Sequence, residues 1–328
     1  MKIGCHVLTL NDGPYIWYAL KSSYPAVDHI VVIEGAITHD EYGNLFHQVP
    51  ATKEGLSLDN TSEEVRRFIK EEDVDHKIDY RQIGFVHSWE DLRNRAHSLL
   101  PEDTDIELIQ DGDCLFKPYH ILRAKEVMEN YPSVFEIAEF CWSFIWDFRT
   151  VMRTGQGWKD YWRWCCFRYN PTMRFTKERT LEFRDGSTGG QIKIDWKDYI
   201  RGPKDEGKYI VYDPDLLQVF HFGNVQLKDR MEIQLMRKFF SPQKMAYNKM
   251  NLPDRKRETL MAWLKFYHKY YTMVPDTEVE TFEKFNGIYP LEGLIETHPY
   301  FNKPREWFGH DDLDGDPSSP FYGKGWWD

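Results

Sequence analysis

Two carboxylates one residue apart, Asp111 and Asp113, stand where an apolar run stops, in LIQDGDCLF (108–116). Such a pair can reach a single ion if the backbone turns, and the intervening Gly112 makes that turn cheap. Hard oxygen donors suit magnesium or manganese, ions that commonly bridge protein carboxylates to diphosphate oxygens. The plain alternative is a solvated turn, because D-G-D on its own is a common tripeptide. The elements around the pair decide between the two.

The apolar run KIGCHVLTL (2–10) closes on Asn11, Asp12, Gly13 and Pro14, which are turn residues. Helical spacing follows over 14–24, with Pro14 suited to a first turn. HIVVIEGA (29–36) is a continuous β-branched run, the mark of a strand buried on both faces of a parallel sheet. Strand, helix and strand within 36 residues make a βαβ unit. A polar stretch over 37–62 reads as a loop, 62–72 as a helix and 78–85 as a strand. Ser88 caps a helix over 88–100, with Trp89, Leu92, Ala96 and Leu99 at helical spacing. DIELIQ (105–110) is the next strand, which puts Asp111-Gly112-Asp113 at its carboxyl end, where open α/β sheets bind ligands.

Beyond 119 the pattern is mixed. A helix over 119–131 precedes strand-like runs at 133–152, 160–175 and 209–223. Amphipathic helices are expected over 227–240 and 255–271, and the aperiodic tail 298–328 is expected to wrap the body. The chain has 328 residues, 41% hydrophobic, with a net charge of −11. That charge argues against a broad nucleic-acid surface, whose affinity comes mainly from phosphate contacts. Five cysteines without a C-x-x-C spell neither a disulfide framework nor a zinc site. With no signal peptide and no run of about 18 apolar residues, the expectation is a soluble, cytoplasmic protein.

Taken together, these segments resemble family-two glycosyltransferases of the GT-A fold. VLTLND (7–12) looks like their first strand and T-x-N turn, and IVVIEGA (30–36) like the second strand with its acidic end. WEDLRNRA (89–96) is similar to their W-x-x-x-R-N helix, and LIQDGDCLF to their D-x-D strand. The second strand departs from the pattern: Glu34 stands where the family has Asp. Further on, YWRWCCFRYNPTMRF (161–175) resembles strands of the subgroup related to lipopolysaccharide-core transferases. TLEF (180–183) aligns Glu182 with that subgroup's acceptor-site Glu, with Leu181 in place of a His. VFHFGNVQ (219–226) resembles a segment whose His approaches the metal-diphosphate.

The resemblance implies an α/β fold with a mostly parallel, mixed, Rossmann-like sheet flanked by helices. It implies a catalytic domain over 1–225, with a donor half over about 1–116 and an acceptor half over about 117–225, and a helical extension over 226–328. Asp113 would hold Mn2+ or Mg2+, with Asp111 toward the donor ribose or sharing the ion and His221 as a further contact. Asn11 and Glu34 would line the nucleobase pocket, Thr9 would join them in binding the donor, and the fork of donors on Arg93 suits a phosphate or the Asp pair. An inverting transfer needs a carboxylate base; Glu182 is the first choice and Asp185 the reserve.

The function so implied is metal-dependent transfer of a sugar from a nucleotide-diphosphate donor, UDP above others, to an acceptor hydroxyl. Glycan, lipid-linked sugar, protein and modified DNA base are all chemically open as acceptors. A nucleotidyltransferase would want a Gly-rich basic first loop, which TLNDGPY lacks. A non-catalytic sugar-binding module would use the aromatic surface alone, without Asp111, Asp113 and His221. Of Trp142, Trp146, Trp158, Trp162 and Trp164 most are expected in the core, since only alternate strand residues share a face. HDDLDGD (310–316) fails the calcium-loop spacing and reads as a solvated tail.

Overall fold

In the computed structural model, residues 1–38, 51–145, 147–152, 162–177, 180–183, 192–202, 207–213, 216–225, 279–281 and 293–303 are described. The helices expected over 227–240 and 255–271, residues 304–328 of the tail, Asp185, Trp146 and Trp158 lie outside them.

The β-branched and apolar runs form the strands of a mixed sheet. In chain order the first half is β1 (Ile3–Thr9), α1 (Ile16–Ser23), β2 (His29–Ile37), α2 (Thr61–Glu71), β3 (Ile78–Val86), α3 (Trp89–Leu99), β4 (Ile106–Asp111), β5 (Cys114–Phe116) and α4 (Pro118–Asn130). There follow β6 (Val134–Ile145), β7 (Thr150–Met152), β8 (Trp162–Arg168), the hairpin β9 (Met173–Lys177) and β10 (Thr180–Phe183), β11 (Ile192–Asp195), α5 (Trp196–Arg201), β12 (Tyr209–Tyr212), β13 (Gln218–Asn224) and β14 (Val279–Thr281). The long run expected over 133–152 is two strands, and that over 160–175 reaches a second strand after the turn at Asn170–Thr172.

The main sheet runs β11-β12-β6-β8-β4-β1-β2-β3. β3, β2, β1 and β4 are mutually parallel, and β8 enters antiparallel to both β4 and β6. This is the expected α/β class, a mostly parallel mixed sheet flanked by helices. Both faces are covered, which is why β1 and β2 read as largely apolar runs. On one face Cys5, Val7 and Ile30 pack with Ile16, Leu20, Phe68, Ile121 and Met128 of α1, α2 and α4. On the other, Leu8, Val31 and Ile33 pack beneath Leu92 and Ala96 of α3. Ser88 caps α3 as expected, its hydroxyl accepting from the Asp91 amide at 3.4 Å.

The described residues fall into two compact units. The larger holds the main sheet through residue 142 and the start of β13, up to His221. In the smaller, Phe144 stacks on Phe222 with ring centroids 4.5 Å apart, Phe148 packs on Phe222 and His298, and β7 pairs with β14. Among the described residues no helix is long and apolar enough to cross a membrane.

One buried carboxyl in the sheet sets a pH-dependent stability. Burial of Glu136 in β6 pushes its pKa up to about 8 against the attraction of Lys193, from an ordinary value of 4.5. Between those values the folded chain holds a proton that the unfolded chain has lost. The contribution is therefore intact below pH 4.5 and disappears as pH rises through 8. Glu136→Gln should raise the melting temperature more at pH 8 than at pH 5. Equal gains at both would show that Glu136 is ionised in the fold.

Candidate active site

Strand order places β1 between β2 and β4, so the connections leave its two sides in opposite directions. At such a switch point a crevice opens beyond the carboxyl ends of the strands. Here those ends are Thr9–Gly13 after β1 and Asp111-Gly112-Asp113 after β4. The Gly112 amide donates to the Leu8 carbonyl at 2.9 Å, which ties the two ends together. Gly112 is needed for clearance rather than for the turn, because its φ lies outside the left-handed region. A Cβ there would sit 2.5 Å from Asp12 Oδ2 and 2.8 Å from Thr9 Oγ1.

Asp113 and His221 meet. β13 runs antiparallel to β5 with His221 opposite Cys114 in register, and His221 Nε2 lies 3.5 Å from Asp113 Oδ2. The Cys114 thiol donates to Asp113 Oδ1 at 3.5 Å. The ligand atoms of Asp113, Cys114 and His221 all lie within 4.8 Å of one another. Asp113 and His221 keep 13% and 15% side-chain exposure, enough for a ligand to reach them from the crevice. One carboxylate and one imidazole at this spacing fit a divalent ion with open positions.

Asp111 stands on the other side of Gly112, its Oδ1 accepting from Arg93 Nη2 at 3.2 Å. Arg93 is 1% exposed and its other fork nitrogen, Nη1, lies 3.2 Å from His6 Nε2. The guanidinium thus bridges His6 and Asp111. The next residue, Asn94, clamps β9: its Nδ2 donates to the Phe175 carbonyl at 3.0 Å and its Oδ1 accepts from the Phe175 amide at 2.7 Å. Adjacent residues of one helix therefore hold both Asp111 and the hairpin that carries Glu182.

Thr9 and Glu34 are paired in register near the ends of β1 and β2, with Asn11 just beyond β1, and all three are buried. The Thr9 hydroxyl donates to Asp12 Oδ2 at 2.9 Å, and the same oxygen takes the Leu10 amide at 3.0 Å. Asn11 sits at φ 60°, a left-handed conformation that Asn tolerates, and its Oδ1 accepts from the Leu58 amide at 2.7 Å. Glu34 is fully buried. Its Oε1 accepts from the Ser57 amide at 2.9 Å, and its Oε2 from Ser62 at 2.7 Å, Gln82 at 3.0 Å and the Tyr80 hydroxyl. Burial alone would raise its pKa, yet the donors of Tyr80, Ser57 and Ser62 outweigh that and hold it below the ordinary range. Glu34 and Asn11 thereby fix the Ser57–Leu58 main chain over the ends of β1 and β2.

Glu182 lies in β10 opposite Arg174 of β9; its strand path alone is described. Trp142 is buried, as expected of most of the tryptophans, and Trp162 and Trp164 lie on β8. Three residues behind Arg93 had no place in the sequence reading: His6, His97 and Glu107. Their signal was a polar residue on one face of each of two apolar strands, His6 in β1 and Glu107 in β4.

No protein-family model matches the chain, and neither does any curated protein. Among solved structures it is similar to S. aureus TarS, at 16% identity over 44% of this chain and 22% of that one, with a TM-score of 0.28. It is also similar to glucosyl-3-phosphoglycerate synthase from Mycobacterium tuberculosis in complex with Mn2+, UDP and glucosyl-3-phosphoglycerate. That match has 14% identity over 43% of this chain and 44% of that one, with a TM-score of 0.29. The same synthase with Mn2+ and UDP-glucose matches at 12% identity, 43% of each chain and a TM-score of 0.30. The chain thus spans less than half of each of these proteins, and its functional reading rests on its own site.

Proposed function

We propose that the chain is a metal-dependent glycosyltransferase that moves a sugar from a nucleotide diphosphate, UDP first, to an acceptor hydroxyl. The observation that carries this is the meeting of Asp113 with His221, distant in sequence, beside Asp111 at the switch point. Asp113 and His221 would hold Mn2+ or Mg2+, with Asp111 sharing the ion or facing the donor ribose. The ion would neutralise charge on the departing diphosphate. Arg93 supports the same purpose by holding Asp111 from the buried side. Thr9, Asn11 and Glu34 act in donor binding through the Ser57–Leu58 main chain and the Asp12 turn that they shape.

In the transfer, the acceptor oxygen bonds to the anomeric carbon as the bond from that carbon to the diphosphate oxygen breaks. The acceptor proton passes to a carboxylate, Glu182 with Asp185 in reserve, and attack opposite the leaving group inverts the centre. The five cysteines are buried thiols outside any disulfide, which suits a reducing, cytoplasmic setting. Glycan, lipid-linked sugar, protein and modified DNA base remain the acceptor classes.

A thermal-shift panel of nucleoside diphosphates and their sugars, with and without Mn2+, tests the reading. A ligand bound by the native state alone raises the melting temperature, so UDP or its sugars should do so only when Mn2+ is present. A shift from free sugars alone, without nucleotide or metal, would point to a binding module instead.

His221→Ala supplies a sharper test of the metal contact. It should weaken manganese-supported UDP binding about tenfold or more, in line with the loss of metal-site partners, and leave the ligand-free melting temperature nearly unchanged. A purely structural histidine would give the reverse pattern: a lower melting temperature with normal affinity.

A further inference from the structure

Behind Asp111 a line of buried polar side chains crosses the space between the sheet and α3. The parallel register of β1 and β4 sets Gly4 beside Glu107, His6 beside Ile109 and Leu8 beside Asp111. Residues 107, 109 and 111 share one face of β4, as 4, 6 and 8 share one face of β1. α3 covers that face, and its Arg93 and His97 lie one turn apart on the same side. Glu107 and His6 have no exposed surface, and His97 is 3% exposed.

The bonds run in one sequence. Glu107 Oε2 lies 2.6 Å from His97 Nδ1, and its Oε1 lies 2.7 Å from His6 Nδ1. His6 Nε2 lies 3.2 Å from Arg93 Nη1, and Arg93 Nη2 lies 3.2 Å from Asp111 Oδ1. An ionised carboxylate only accepts, so each imidazole presents an Nδ1–H to Glu107. A guanidinium only donates, so His6 must offer Arg93 a bare Nε2. Those two demands leave one state for His6: neutral, with its proton on Nδ1. A doubly protonated His6 would set a second N–H and a second positive charge against Arg93.

We propose that Glu107, His6 and His97 are positioning residues that fix the tautomer of His6 and, through it, the fork of Arg93 that orients Asp111 for the metal-bound donor. This rests on the glycosyl-transfer reading for its purpose and on the hydrogen-bond geometry for its existence. Ionised Asp111 faces the Arg93 guanidinium, and a neutral His6 stands between Arg93 and ionised Glu107. Burial lowers the pKa of His6 most, with Arg93 adding to it, and the bond to Glu107 does not restore it. Burial also opposes charge on His97, but there the bond to Glu107 prevails and its pKa is raised. Burial raises the pKa of Glu107, but its two histidine bonds lower it further, below its ordinary value. Unpaired charges here would be costly, and well-packed apolar residues of similar volume often serve stability as well. The arrangement is therefore better accounted for by what it does to Arg93 than by core stability.

Two measurements test it. Nitrogen-15 NMR of the histidine rings in the unaltered protein at pH 7 should show His6 neutral with Nδ1 protonated; a proton on Nε2, or on both nitrogens, overturns the relay. The second compares His6→Gln with His6→Leu by titrating UDP in the presence of Mn2+. The Gln carbonyl can still accept from Arg93 and should keep the affinity within about threefold, whereas His6→Leu should lose about tenfold, the lower range for an outer-shell partner. Equal losses, or none in either, overturn the positioning role, and if His6→Leu does not fold the tautomer still decides. Unaltered protein that binds no UDP with Mn2+ would instead overturn the transferase reading, and with it the purpose of the relay, whatever the tautomer shows.

Discussion

Asp113→Asn should abolish manganese-supported UDP binding and turnover while leaving the ligand-free protein folded. The substitution keeps the shape of the side chain and removes its charge, and charge is what a hard divalent ion recognises. The carboxylate has Nε2 of His221 at 3.5 Å on one oxygen and the Cys114 thiol at 3.5 Å on the other. Neither of these is a strong bond, so removing the charge costs little at either contact. The loss of affinity should exceed the roughly hundredfold that removing an outer-shell partner can cost. Asp111→Asn should be milder, because a carboxamide oxygen can still accept from Arg93. The measurement is calorimetric titration of Mn2+ and UDP, with a melting curve of the apoprotein as control. Full turnover in excess chelator would remove the metal from the reaction altogether.

Local pattern carried the parallel half of the fold well, for a physical reason. β1, α1, β2, α3 and β4 are each decided by their own burial period and caps, such as the β-branched run of β2 and the Ser88 cap of α3. What local pattern does not carry is the partner of a polar side chain. Glu34, expected at the nucleoside, bonds Ser57 and Ser62, because residues 56–62 return to the strand end, and Tyr80 and Gln82 of β3. That return is a long-range contact with no local signature. Gly112 was expected for its freedom to turn, and the structure instead needs its lack of a side chain against Asp12 and Thr9. His6 and Glu107 lay in strands read only for their apolar residues. Each breaks the hydrophobic pattern on the face that α3 covers, and a polar residue at a buried strand position implies a partner across the sheet or on the helix. The second half, where parallel and antiparallel pairs mix, depends on pairing between distant segments, and one long run resolved into β6 and β7.

Glu182→Gln should lower turnover by about two to four orders of magnitude, the range for loss of a general base, with UDP affinity nearly unchanged. The backbone supports a place near the chemistry. Glu182 pairs with Arg174, the neighbour of Phe175, whose amide and carbonyl are both held by Asn94. Asn94 adjoins Arg93, which holds Asp111. The hairpin and Asp111 are thus fixed to consecutive residues of α3, and any shift of that helix moves both. The isosteric amide keeps the hairpin's register and takes away only the capacity to accept a proton. Donor binding at Asp113 and His221 should be indifferent to it, so kcat falls and the UDP dissociation constant does not. Asp185→Asn is the control that gives the result its meaning. If Asp185→Asn loses the turnover and Glu182→Gln does not, the base stands three positions further along the chain and the alignment of TLEF with the acceptor-site Glu is out of register. If both variants retain full rate, the proton leaves through neither carboxylate, and the inverting mechanism must draw its base from outside the hairpin.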